Sequence, residues 1–107
     1  QGYSSAASDV YKRQYKFNPE ELKAKPVEER IHTVLIQMGY SEGDIRRIEY
    51  RKFWSNSDEK VWVAEVYDEN YNEALNEPDS YAIREVSGSL MKTAGKALGF
   101  RLYFDFY

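Results

Sequence analysis

The chain has 107 residues, with fifteen Lys and Arg against eighteen Asp and Glu and no cysteine. That length supports one domain with a single modest core, and 42% apolar with 31% charged residues suits a chain that folds. The missing cysteine excludes disulfides, a thiolate nucleophile and cysteine metal sites, and a formal charge of −3 excludes whole-molecule attraction to nucleic acid, so any such role must rest on a local basic patch.

Residues 1–14 show neither a helical period nor strand alternation and are expected to be a disordered leader, with 15–107 forming a single domain. The string SSAASDVYKRQ within them resembles one that fronts many unrelated translated environmental reads. That resemblance implies a non-native leader and a phage or uncultured-microbe source. No apolar run reaches the roughly 20 residues of a membrane span, and no secretory leader is legible, so a cytoplasmic protein is expected.

In NPEEL, Asn18 suits a cap, Pro19 the first helical position, and Glu20 and Glu21 the positive helix end, which predicts a short helix. Pro26 restarts the chain into a longer helix with Val27, Ile31, Val34, Leu35 and Met38 on one face and Gly39 as its stop. After the turn residues SEGD, the alternation places Ile48, Tyr50, Lys52 and Trp54 on one side of a strand and Arg47, Glu49, Arg51 and Phe53 on the other. The polar SNSDE leads into KVWVAEVY, apolar on both faces and so expected at the centre of the sheet.

Residues 68–79 read as a solvated acidic loop with room for one helical turn. From Tyr81 to Leu98 two readings stand. One is a single helix burying Ile83, Val86, Leu90, Ala94 and Ala97 or Leu98; the other is a strand over Tyr81–Val86 followed by a helix from Leu90. The through-running apolar spacing favours the single helix, although two interior glycines cost about 1 kcal/mol each. FRLYFDFY alternates strictly, with Phe100, Leu102, Phe104 and Phe106 facing one way, and is the clearest strand. The order helix, strand, strand, helix, strand predicts an α+β two-layer sandwich: a three- or four-stranded, mostly antiparallel sheet with helices on one face.

Signals for catalysis are thin. His32 is the sole histidine, at the margin of an apolar helix face. No phosphate loop, dinucleotide fingerprint, nucleophile elbow or calcium loop is present, so no catalytic residue, cofactor or metal is expected and the chain reads as a non-enzyme. Two binding surfaces are legible. Protein binding or self-association is favoured by the acidic net charge and by tyrosines beside acids: Tyr67, Asp68, Glu69, Tyr71, Glu73, Glu77, Asp79 and Tyr81. The last strand is a candidate edge for pairing with a second copy, giving a homodimer. The alternative is single-stranded nucleic acid, held where Arg46, Arg47, Arg51 and Lys52 interleave with Tyr50, Phe53 and Trp54, with Lys92, Lys96 and Arg101 extending the patch.

Overall fold

Asn18 Oδ1 accepts from the backbone N–H groups of Glu20 and Glu21 at 3.1 and 3.3 Å, and helix α1 runs Pro19–Lys23 as its caps predict. The structure is a computed structural model that describes residues 15–78 and 81–107. The expected leader at 1–14, and Asp79, lie outside the described residues. Helix α2, Val27–Gln37, starts directly after Pro26 and buries Ile31, Val34 and Leu35. Arg30 fixes the corner between the two helices, donating from Nε to the Leu22 carbonyl at 2.9 Å and from Nη2 to the Lys25 carbonyl at 3.0 Å. These are carbonyls that the end of a short helix leaves without intrahelical donors. Gly39, at φ +104°, ends α2 in the left-handed region that a side chain disfavours.

A 3₁₀ turn at Glu42–Asp44, closed by Ser41 N–H donating to Asp44 Oδ2 at 2.9 Å, delivers the chain into β1, Ile45–Lys52. Strand β2, Lys60–Val66, pairs antiparallel with β1, aligning Tyr50 with Trp62 and Ile48 with Ala64; the register shifts between Ile45 and Arg47. The acidic stretch folds as helix α3, Glu69–Ala74. Tyr81–Leu98 is one continuous helix, α4, which settles the two readings of that segment. Its buried stripe, Ala82, Val86, Leu90, Ala94 and Leu98, outweighs the propensity cost of Gly88 and Gly95. Strand β3, Leu102–Phe106, then lies parallel to β2, and the sheet order is β1-β2-β3. Of the two pairings, one is antiparallel and the other parallel, with the doubly apolar β2 in the middle as expected.

The two faces of the sheet differ. Ala64, Val66, Leu102 and Phe104 join Ile31, Val34, Leu35, Val86, Leu90 and Ala94 in one apolar cluster, so the helices cover that face. Val63 and Glu65, pointing the other way, are also buried, at 1% and 7% exposure, but lie outside the cluster. Among the described residues no helix joins them there. The strand ends at Lys52, two residues short of Trp54, so the expected alternation does not carry that far. Trp54 turns back over the helix-free face, where it meets Tyr103, rather than following Tyr50. Among the described residues no helix is long and apolar enough to cross a membrane.

Candidate functional site

On the helix-free face, β1 contributes arginines and all three strands contribute carboxylates. Arg46 Nε lies 2.9 Å from Glu65 Oε1, while Arg51 Nη2 lies 3.3 Å from Glu65 Oε2 and 3.0 Å from Asp105 Oδ2. Arg51 Nε also stands 3.3 Å from Glu49, and the Arg46 guanidinium covers the Tyr107 ring at 4.1 Å. Arg51 therefore spans the sheet from one edge strand to the other across the central one. Burial pushes the Glu65 carboxyl up, but the Arg46 hydrogen bond, the charges of Arg47 and Arg46 and the Arg51 hydrogen bond outweigh it and hold the group below its usual range.

A carboxyl lowered on folding contributes stability above its unfolded pKa and loses it as pH falls through the folded value. Glu65 should thus stabilise fully above its unfolded value of about 4.3 and progressively less below it. Urea midpoints measured from pH 7 to pH 3 should show wild type losing its advantage over Glu65→Gln in that acid range. A constant difference between the two proteins would contradict the assignment.

These contacts sort the cations named from sequence. Arg46 and Arg51 are committed to Glu65, Glu49 and Asp105, while Arg47 sits 3.8 Å from Glu49 and Lys52 3.9 Å from Asp58. Tyr50 lies on the opposite, helix-covered side, its ring 5.3 Å from Trp62. The β1 patch is therefore charge-balanced and does not assemble as one basic-aromatic surface.

Several other cations carry no ion pair among the described residues, Lys16, Lys23, Lys25 and Lys60 among them, and four of these unpaired cations gather on or beside α4: Arg84, Lys92, Lys96 and Arg101. Arg84, Gly88, Lys92 and Lys96 follow one another at four-residue spacing and are all exposed, on the side of α4 opposite its buried stripe. Lys92 and Arg101 line a groove with Gly88, Met91, Gly95 and Phe100, and Lys96 borders a second hollow beside Tyr15 and Phe17. Arg101 also places its guanidinium 5.8 Å from the Tyr103 ring, within cation–π range, and so joins the groove to the helix-free face. There Phe53, Trp54 and Tyr103 form an aromatic cluster. Phe53 and Tyr103 lie 5.1 Å apart, and Trp54 stands edge-on to them at 4.9 and 5.5 Å. Sequence reasoning included Phe53 and Trp54 among the stacking aromatics but left out Arg84 and Tyr103 as binding residues. Arg84 was legible from its spacing to Lys92 once the segment is helical, whereas the ring cluster depends on β3 returning beside β2.

The tyrosine-and-acid set divides as well. Asp68 is buried at 4% exposure, where its side chain caps α3 by accepting from the Tyr71 N–H at 2.8 Å and receives the Tyr40 hydroxyl. Tyr71 stacks on Phe106 at 4.0 Å. Both are structural. Tyr67, Glu69, Glu73 and Tyr81 remain exposed and Glu77 is half-buried. Tyr67 and Glu69 line a cleft with Tyr40, Asp44 and Asp68.

The chain matches no family model, no curated protein and no solved structure.

Proposed function

We propose that the chain is a non-catalytic module that binds nucleic acid, with the phosphate backbone along the outer ridge of α4. The observation that carries this is the clustering of four cations without ion pairs, Arg84, Lys92, Lys96 and Arg101, along one helix and the groove beside it. Paired arginines offer a phosphate little, because binding must first break an existing ion pair; unpaired ones exchange only counterions. The net charge is acidic, and α1, with Glu20 and Glu21 in its first turn, shares a hollow with Lys96 through Pro19 and Leu22, so the reading rests most on Arg84, Lys92 and Arg101. Glu28 and Glu29 lie in the first turn of α2 and Glu69 in that of α3.

The test is fluorescence anisotropy of a labelled oligonucleotide at about 50 mM salt, repeated as salt rises. Binding should weaken steeply with salt. The triple variant Arg84→Ala/Lys92→Ala/Arg101→Ala should lose at least about ten-fold in affinity and flatten the salt slope by roughly one unit for each phosphate no longer neutralised. Arg47→Ala, which touches only an exposed pair, should bind like wild type. Absence of binding at low salt would overturn the reading.

A second reading, a protein partner or a second copy, is favoured by the exposed Tyr67, Leu75 and Tyr81 at 44%, 51% and 51%, which flank the acidic α3. Sedimentation of the free protein tests self-association directly.

A further inference from the structure

We infer that Trp54, with Phe53 and Tyr103, forms a stacking site for unpaired bases, so that the nucleic acid bound along α4 is single-stranded; the inference rests on the nucleic-acid reading above. The three rings reach the helix-free face from the turn after β1 and from β3, and Trp54 touches both of the others edge-on. Those contacts fix the orientation of Trp54 while leaving it 53% exposed. A large aromatic held in place at the surface binds with little ordering cost, which suits a stacking platform.

Its surroundings say what it stacks. On one side Arg101 stands over Tyr103 and borders the Lys92 groove, so a backbone lying in that groove reaches the rings past a cation. On the same face, Asp105 and Glu65 sit further along β3 and β2, with their charges answered by Arg51 and Arg46. Phosphates are thus drawn to the Arg101 end, and the rings lie between it and the charge-balanced Arg51, Glu65 and Asp105 group. In a duplex the base faces are occupied by their own neighbours, whereas a single strand presents them. A site with cations for the backbone and exposed rings beside them therefore selects the unpaired strand.

The experiment compares three ligands of equal length by anisotropy: oligothymidylate, the same sugar-phosphate chain without bases, and a duplex. Wild type should bind oligothymidylate about ten-fold or more tightly than the abasic chain and more tightly than the duplex. Trp54→Ala should bring oligothymidylate down to the abasic level and leave abasic binding unchanged. Because Tyr103→Ala opens a gap on the sheet, Tyr103→Leu serves as the second variant, with circular dichroism checking both folds; it should also lower the preference. If wild type binds all three ligands alike, or if Trp54→Ala keeps the preference, the stacking site is wrong, while a continued loss on Lys92→Ala/Arg101→Ala leaves the nucleic-acid reading standing. If no ligand binds, both fall.

Discussion

Leu102→Ala is expected to cost about 2–5 kcal/mol of folding stability, enough to lower the melting temperature by on the order of 10 °C or more. Leu102 is fully buried and opens β3, where its side chain enters the cluster formed with α2 and α4. Trimming it removes transfer energy and leaves a cavity, and its surroundings cannot collapse freely, because β3 is held in register by β2 through Val66 and Phe106. Tyr103→Leu, one position along on the opposite face, provides the control. It keeps an apolar side chain where no helix packs among the described residues, so it should cost clearly less. Urea unfolding of both variants checks the pair. A Leu102→Ala loss below about 1 kcal/mol would mean that the helix layer does not press on β3 as described.

The second large effect is expected at Asp68. Its carboxylate does two things at a buried position: it caps α3 through the Tyr71 N–H and accepts from the Tyr40 hydroxyl just past the end of α2. Asp68→Ala removes the cap, worth about 0.5–2 kcal/mol, and takes from Tyr40 an acceptor worth about 1 kcal/mol more. The two together amount to about 1.5–3 kcal/mol. Asp68→Asn keeps a side-chain oxygen that can still cap, so it should cost less than half as much. Amide exchange at Tyr71 separates the contributions: it should quicken well beyond the global change in Asp68→Ala and stay close to it in Asp68→Asn. Equal losses in the two variants would show that the cap contributes nothing.

Elements are legible in a sequence where the physical signals that make them are local. Caps, proline positions and periodicity are properties of neighbouring residues, so α1, α2, the hairpin and β3 could be read from Asn18, Pro26 and the alternations over residues 47–54 and 100–107, although the strands themselves span Ile45–Lys52 and Leu102–Phe106. The choice over Tyr81–Val86 was open because Tyr, Ile and Val suit a strand as well, and only the stripe continuing through Leu90 and Ala94 decides for helix. Alternation reports which face a residue occupies, not which strand lies beside it, so the parallel pairing of β3 with β2 was out of reach. The same gap hid the site. Asp68 looks like a solvated acid until Tyr40 and Tyr71 are brought to it, and the β1 arginines look available until Glu65 and Asp105 neutralise them. Lys92, Lys96 and Arg101 were visible, but that they carry no ion pair among the described residues is a property of the folded molecule alone.

The parallel placement of β3 also sets the order in which the molecule assembles. Strands β1 and β2 meet across a short turn, with Lys52 opposite Lys60, so the hairpin closes at little entropic cost. Trp62 meets Leu102 only across a connection that holds α3 and α4, a long loop closure before the contact rewards it. The hairpin and helices are therefore expected to form early and β3 to dock late, so that substitutions in β3 should change the unfolding rate more than the folding rate. Arg51, bonded to Asp105 across the central strand, is then a late clasp: it governs how slowly the finished molecule comes apart more than how quickly it forms.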